Sequence, residues 1–246
     1  MDAAALANFI LHQGADLCYS RFVRTAEGLA GFAYINRTAD ISRVAGMGVV
    51  PSARRSGVAR RLLTHLLEEA QARGDQALML EVIEQNPAAR ALYIQKGFRE
   101  TEHLLGWRRA AGTPSIESHE AIREISLIRA SQMPSALEYP ELPWPVSRHA
   151  IAKSAARHAF QSGPALVVMG DPNATAVRLH ALSCPDRMDW AAVRKTLSAL
   201  MQRHPDREFF TPPVFPKQFG EEVFQPLRFV REPLSQFLMR HDLRDC

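Results

Sequence analysis

The sequence predicts an α+β fold with a mixed α/β sheet, arranged as two similar halves. The first observation is the run from Gly46 to Phe98, where an apolar strand, a basic loop, an amphipathic helix and a second strand follow one another. This is the order of a right-handed parallel crossover. Hairpin signals at Glu27-Gly28 and at Asp171-Pro172-Asn173 add antiparallel strands on either side. The order of elements in the first half then recurs in the second, which indicates tandem domains.

Hydrophobic periodicity and turn residues set the elements of the first half. A helix over residues 2–13 is predicted to bury Leu6, Phe9, Ile10 and Leu11. Strands are predicted over 17–25, 29–36 and 41–50, followed by a helix between Gly57 and Gly74, a strand over 78–83, a short helix opened by Asn86-Pro87 and closed by Gly97, and a strand over 99–109.

Glycine and proline punctuate the middle of the chain, so we predict domains over residues 1–110 and 146–246 with a linker over 111–145. A strand over 122–128 is expected inside that linker. The second half is predicted to contain a helix over 147–161, strands over 165–169 and 174–182, a helix over 188–203, a strand over 208–214, a helix over 218–225 and a strand over 234–243.

One constant offset aligns the two halves from the third strand onward. The pairs that it produces are Gly57 with Met188, Glu81 with Pro212, Tyr93 with Phe224, and Phe98 with Phe229. It also sets the basic loop against residues 185–190, which contain no glycine and carry two carboxylates that would repel a diphosphate. The second half is therefore predicted to have lost the chemistry of the first. The alternative is chance similarity between two small α+β units.

Composition excludes several classes of function. The net charge is only +4, with acidic and basic residues interleaved, so no nucleic-acid partner is required. The three cysteines, Cys18, Cys184 and Cys246, suggest neither a disulfide framework nor a metal site. The nine histidines show no HExxH spacing and no serine lies in a GxSxG elbow, so no metal and no hydrolase is expected. Without a bilayer-length apolar run or a signal peptide, we expect no membrane partner and a cytoplasmic location.

The loop before the long helix has the chemistry of an anion site. Backbone amides ahead of a helix, with Gly57 allowing a tight turn, form a positive concavity that suits a diphosphate. Four arginines surround it, namely Arg54, Arg55, Arg60 and Arg61. The alternative is a solvated, basic start of a helix, since short matches of this kind are common.

The motifs of this region resemble the acetyl-CoA-binding core of the GNAT N-acetyltransferase superfamily. They are Val50-Pro51-x-x-Arg54-x-x-Gly57-x-Ala59, then Leu62-Leu63, then Asn86-x-x-Ala89-x-x-Leu92-Tyr93-x-x-x-Gly97-Phe98. The resemblance implies the GNAT fold, acetyl-CoA as cosubstrate, and a tandem protein whose second GNAT-like domain is degenerate. A GNAT domain is expected to open with a further strand and helix, which this first domain lacks.

The resemblance also assigns cofactor-binding residues. It implies that strand amides pair with the pantetheine arm and polarise the thioester, that the loop holds the diphosphate, and that Asn86 bonds the arm, although its role as a helix cap alone would explain Asn86. The implied set is Met47, Val49, Val50, Arg54, Arg55, Ser56, Gly57, Val58, Ala59, Arg60, Asn86 and Tyr93.

Two residues are candidates for catalysis. Glu81 is expected on an otherwise apolar face of its strand, where a carboxylate can act as general base; the alternative is a carboxylate that reaches water or an arginine. Tyr93 shares a helix face with Asn86 and Ala89 and could protonate the departing thiolate, unless it is simply a core tyrosine. The two stand where the LEV and LY residues of ribosomal-protein alanine N-acetyltransferases place their proposed base and acid. Glu84 is the second choice of base.

These observations favour an N-acetyltransferase that moves the acetyl group of acetyl-CoA to a primary amine by direct attack. A non-catalytic module that binds or senses acyl-CoA is the alternative, and a purely structural protein would leave the basic loop without a use. Small-molecule amines, peptide α-amines and lysine all stay open as acceptors. A homodimer is also left open.

Overall fold

The computed structural model describes residues 2–135, 140, 142–151, 157–186 and 189–243. The chain forms two compact units. The first comprises the residues up to 102 together with those from 237 onward, and the second comprises residues 103–236. The predicted boundaries at 110 and 146 do not coincide with these units, because the end of the chain belongs to the first unit.

The described residues contain seven α-helices and eleven strands. The helices are α1 (Ala3–Gln13), α2 (Val58–Ala72), α3 (Pro87–Gln95), α4 (Leu127–Gln132), α5 (Arg148–Ile151), α6 (Trp190–Arg203) and α7 (Lys217–Val223). The strands are β1 (Asp16–Thr25), β2 (Gly28–Thr38), β3 (Ile41–Val49), β4 (Ala77–Ile83), β5 (Arg99–Arg109), β6 (Arg123–Ile125), β7 (His158–Ser162), β8 (Ala165–Met169), β9 (Ala176–Ser183), β10 (Glu208–Pro216) and β11 (Val230–Asp242). Short 3-10 helices lie at Pro51–Ala53, Trp144–Val146 and Gln225–Leu227.

In the first unit the strand order is β1-β2-β3-β4-β11-β5, where β11 contributes residues 237–242 and β5 contributes residues 99–102. The β1/β2 and β2/β3 pairs are antiparallel, whereas β3 and β4 are parallel and are joined by α2, as the sequence predicts. The apolar face of α2 packs on the sheet through Leu62, Leu63 and Leu66, against Val44 and Leu80 among others. Burial of this face holds α2 across β3 and β4.

In the second unit β5, β10, β9, β8, β7 and β6 are neighbours in that order. β9 and β10 are parallel and are joined by α6, which repeats the crossover of the first unit. Side chains alternate between the two faces of the sheet. One face packs on α6 and α7 through residues such as Val167, Leu179 and Leu197. The other packs on α4 and α5 through residues such as Val168 and Ile151.

Three predictions of secondary structure or burial need correction. Residues 158–161, predicted to end a helix, are strand β7, which pairs with β8; of the rest of that predicted helix, 152–156 lie outside the described residues. The predicted linker contains β6 and α4, so most of it is part of the second unit. Leu11, predicted to be buried, is 61% exposed, and Leu6, Phe9 and Ile10 are only half-buried.

The repeat itself is present, with one shift of register. β10, α7 and β11 lie where the constant offset from β4, α3 and β5 places them. The offset of 131 residues that relates β4 to β10 does not hold between β3 and β9. Ile41 pairs with Ala77 and Ala176 pairs with Glu208, so β3 and β9 are related by 135 residues (176 − 41 = 135 against 208 − 77 = 131). The counterpart of Arg43 on β3 is therefore Arg178 on β9. Met188, the predicted counterpart of Gly57, lies outside the described residues.

Candidate active site

The two parallel strands of the first unit separate at their carboxyl ends. Pairing between β3 and β4 runs from Ile41 and Ala77 to Val44 and Leu80 and no further within this fully described stretch, although β3 continues to Val49. A bulge at Ala45 coincides with this point, since the β2/β3 register shifts between Val44 and the following pair. Bulges re-aim a strand and are frequent next to active sites. The opening between β3 and β4 is therefore a place where a ligand can reach strand backbone.

The loop after β3 turns sharply into α2. Arg55 has φ 63° and Gly57 has φ 82°, both in the left-handed region, and α2 begins at Val58. The first hydrogen bond of the helix is donated by the Arg61 amide to the Gly57 carbonyl at 3.0 Å. The amides of residues 58–60 thus have no carbonyl partner of their own in the helix, and no side chain caps them. A non-glycine residue held in the left-handed region costs about 1–2 kcal/mol, which loops tolerate mostly at functional sites.

The arginines of the loop are exposed and have no carboxylate partner among the described residues. Arg54 reaches the Val49 carbonyl at 3.5 Å, and Arg60 donates to the Gln95 side chain on α3 at 3.0 Å. The Ser56 hydroxyl donates to the Ala53 carbonyl at 2.8 Å, which fixes the turn. The helix start therefore combines open amides with uncompensated positive charge, the arrangement that binds a phosphate group.

Helix α3 places two further predicted residues. The Asn86 side chain accepts from the Ala89 amide at 3.2 Å, so the cap that the sequence predicts is formed. Tyr93, about two helical turns after Asn86, is 9% exposed, and its ring lies 5.9 Å from that of Phe98. Burial raises the pKa of the Tyr93 phenol. The hydroxyl therefore stays protonated at neutral pH and can serve as a proton donor.

Glu81 does not lie in apolar surroundings, and that expectation was wrong. The Arg43 Nε donates to both carboxylate oxygens at 2.9 Å, and the Arg43 Nη2 lies 2.7 Å from Oε2. The same Nη2 donates to the Gln13 side chain at the end of α1 at 3.0 Å. The Arg43 and Glu81 side chains are only 4% and 9% exposed. The alternative that the sequence left open, a carboxylate that reaches an arginine, is the one observed.

Arg43 is a residue of the candidate site that sequence reasoning missed. It lies in the middle of a strand whose neighbours are mostly apolar, and a charged side chain at such a position is unusual unless it has a partner. Parallel pairing places Arg43 beside Met79, so that it shares a face with Glu81 two residues on. The signal was available once the strand register was known. The second-choice base, Glu84, is half-buried and its charge acts on Arg90.

The described ranges show two further properties. They contain no cluster of three or more histidine, cysteine, aspartate or glutamate side chains suited to holding a metal ion. None of their helices is long and apolar enough to cross a bilayer.

Comparison with known sequences finds a family model that matches part of the first unit. Residues 4–98 match the model of the Acetyltransferase (GNAT) family. The [ribosomal protein bS18]-alanine N-acetyltransferase of Escherichia coli (strain K12) is 40% identical over 83 residues, which are 33% of this chain and 56% of that protein. The protein of that name from Haemophilus ducreyi is 34% identical over 74 residues, 30% of this chain and 51% of that protein. The chain thus matches about half the length of these relatives.

Solved structures are similar over almost the whole chain. A GCN5-related N-acetyltransferase from Sphaerobacter thermophilus has a TM-score of 0.68 at 15% identity, covering 99% of this chain and 86% of that one. A tandem GNAT protein from the clavulanic acid biosynthesis pathway has a TM-score of 0.58 at 14% identity, covering 97% of this chain and 88% of that one. At these identities the likeness shows the fold alone. It is the GNAT acyltransferase fold in its tandem form, so the predicted fold class is confirmed.

Proposed function

Since residues 4–98 match the model of the Acetyltransferase (GNAT) family, we propose that the first unit transfers the acetyl group of acetyl-CoA to a primary amine. The observation that carries the proposal is the helix start at Gly57. Its open amides and unpaired arginines lie directly after the strand that separates from its neighbour. A diphosphate bound there would direct the rest of the cofactor toward the opening between β3 and β4.

The proposed cofactor contacts follow the path from loop to strand. Diphosphate oxygens accept from the loop amides and from the arginine side chains, and the pantetheine arm pairs with backbone of β3 and with the Asn86 side chain. The residues assigned to this path are Met47, Val49, Val50, Arg54, Arg55, Ser56, Gly57, Val58, Ala59, Arg60, Asn86 and Tyr93.

The chemistry is a direct attack of the amine nitrogen on the thioester carbonyl carbon. Strand amides at Met47 and Val49 stabilise the oxyanion of the tetrahedral intermediate. As the carbon–sulfur bond breaks, Tyr93 donates a hydrogen bond to the departing sulfur and gives it the phenolic proton as negative charge develops there. The acceptor ammonium loses one proton to a base or to water before it attacks. The second proton leaves the nitrogen as the tetrahedral intermediate collapses to the amide, and one proton from solvent restores the Tyr93 phenol.

Glu81 is proposed as that base, and its pairing with Arg43 limits which lone pairs can accept the proton. Both of its oxygens already accept hydrogen bonds from Arg43, so a base role has to use the remaining lone pairs. An acceptor with an α-amine of pKa about 7.7–8.0 needs less help than a lysine of pKa about 10.4. Because the matching relatives are named for an alanine of a ribosomal protein, a peptide α-amine is the first acceptor to test.

One observation, the Arg43–Glu81 pair, favours a second function. In a module that binds acyl-CoA without catalysis, a carboxylate locked to an arginine is expected, because no proton has to be taken up. The Arg43–Glu81 pair favours this alternative. The enzyme instead needs the Tyr93 hydroxyl to reach the thioester sulfur, in addition to being protonated. A cytoplasmic location and a homodimer are further proposals from the sequence.

Thiol release separates the two functions. Purified full-length protein is incubated with acetyl-CoA and a panel of amines that contains an N-terminal alanine peptide, a lysine peptide and small amines, and free coenzyme A is followed with a thiol reagent. The enzyme predicts amine-dependent release with at least one acceptor. Tight binding of acetyl-CoA with no release for any amine supports the sensing module instead.

A further inference from the structure

Two arginines, Arg157 and Arg178, lie in the second unit on the sheet face that packs against α5. β7, β8 and β9 are neighbours, and at one end His158 pairs with Met169, which pairs with Leu179. Arg157, Gly170 and Arg178 each adjoin one of these residues in the chain. The register therefore lines them up across three strands, with the glycine in the middle.

These three residues face the same side of the sheet. Met169 and Leu179 belong to the core under α6, so the residues next to them in each strand point to the opposite face. Arg157 is on that face too, since it is two residues from Ala159 of the core under α4 and α5. The Arg157 Nη1 donates to the Ala150 carbonyl of α5 at 3.3 Å, in agreement with this placement.

Arg157 is buried and incompletely paired. It is 8% exposed, and its Nε has no hydrogen-bond partner. Burial, together with the positive charge of Arg178, lowers the pKa of Arg157 to about 10. Arg178 is reachable by solvent, yet the surrounding protein desolvates it enough to lower the pKa of its guanidinium as well. Among the described residues neither arginine has a carboxylate partner.

Gly170 leaves room between the two arginines. A Cβ added to it would meet nothing closer than 3.8 Å, the nearest atoms being the Arg178 carbonyl oxygen and the His180 Nε2. Its amide donates to the Arg178 carbonyl at 2.8 Å, which holds the ends of β8 and β9 together. The register thus places the two arginines in the strands on either side of Gly170, which has no side chain of its own.

A buried guanidinium with an unsatisfied donor, as at Arg157, is costly unless something compensates it, and the nearby positive charge of Arg178 adds to that cost. We propose that Arg157 and Arg178, on either side of Gly170, form a binding site for a small oxyanion, the phosphate or carboxylate group of a small molecule. Guanidinium groups suit both, because their planar forks match two oxygens at once. The site is independent of the acetyl-transfer proposal, which concerns the first unit.

Calorimetric titration of the full-length protein tests the site, with inorganic phosphate in one arm and acetate in the other. Wild type is expected to bind at least one of the two, and Arg178→Gln to bind it about tenfold more weakly or worse, since a lost charged hydrogen bond is worth about that much. Arg231→Gln, which removes an exposed arginine of the same unit, is expected to match wild type. The arm that responds identifies the preferred oxyanion.

A variant that changes no charge keeps the result unambiguous. Gly170→Val fills the gap and is expected to weaken the Arg178-dependent binding as well. In an anion-free buffer Arg178→Gln is expected to be more heat-stable than wild type, and the added anion narrows that difference. Absence of binding in both arms up to tens of millimolar, or equal binding by wild type, Arg178→Gln and Gly170→Val, would overturn the proposal.

Discussion

Arg43 and Arg178 occupy the same register position in the two repeats and have different electrostatic surroundings. Arg43 is paired with Glu81 at 2.7 Å, whereas the constant offset places Pro212 where Glu81 stands in the first repeat. The strand and crossover are retained in both units, while the partner of the arginine is retained in one. In the second repeat the arginine is left without a carboxylate partner among the described residues, which is the basis of the oxyanion site proposed there.

The two crossover helices, α2 and α6, also differ in how the amides at their N-termini are capped. α2 begins after Gly57 with no side-chain cap, and its open amides face exposed arginines. α6 is capped by its own carboxylate, since the Asp189 side chain accepts from the Ala192 amide at 3.2 Å. A helix start that carries an internal anion has little use for an external one. The first unit is therefore the one suited to a diphosphate.

The largest expected effect comes from breaking the buried ion pair. Arg43→Leu leaves Glu81 buried without a partner and is expected to lower the free energy of unfolding by about 3–5 kcal/mol, measured by chemical denaturation. The double variant Arg43→Leu/Glu81→Met removes both charges and is expected to recover most of that loss. A double variant as unstable as the single one would show that the pair is not what stabilises this site.

The next effect is on turnover. Tyr93→Phe removes the proposed proton donor and is expected to lower kcat by about 100-fold with little change in acetyl-CoA affinity. Tyr19→Phe, at a tyrosine under Arg73 elsewhere in the same unit, serves as control and is expected to leave kcat unchanged. Equal turnover of Tyr93→Phe and wild type removes Tyr93 from the mechanism.

The raised pKa of Tyr93 gives the same residue a pH signature. Above about pH 10 the unfolded chain loses its phenolic proton while the folded chain retains it. The unfolded state then binds fewer protons, so the free energy of unfolding falls as pH rises through this range. This part of the fall is expected to be absent in Tyr93→Phe, as followed by denaturation at increasing pH.

A smaller effect is expected to distinguish Gly57 in the loop from Gly74, a glycine with a similar positive φ. Gly57 and Gly74 have φ 82° and 76°, so alanine at either is expected to cost about 1 kcal/mol of stability. Only Gly57→Ala is expected to weaken acetyl-CoA binding as well, because only it lies at the proposed diphosphate site. Equal affinities of the two variants, by calorimetry, would count against the loop as the binding element.

The smallest effect concerns the other helix start. Asp189→Ala removes the cap of α6 and is expected to lower the free energy of unfolding by about 1 kcal/mol without changing acetyl-CoA affinity. A change in that affinity would mean that the second helix start takes part in cofactor binding.

Local signals in the sequence predicted the first unit well. Alternating and helical periodicity between Ile41 and Gly97, with Asn86 and Gly57 as punctuation, gave the strands, helices and crossover that the structure has. The stretch at 158–161 was misassigned because its strand is defined by pairing with β8, which its own apolar residues do not reveal. The Arg43–Glu81 contact joins residues on different strands and depends on their register, which the sequence alone does not specify.

Binding of acetyl-CoA tests the central claim most directly. Titration calorimetry of the wild-type chain, combined with crystals soaked in coenzyme A, measures both affinity and position. The account predicts saturable binding, with the diphosphate against the amides of residues 55–60 and the sulfur directed toward Tyr93. Absence of binding, or coenzyme A bound away from that helix start, would contradict it.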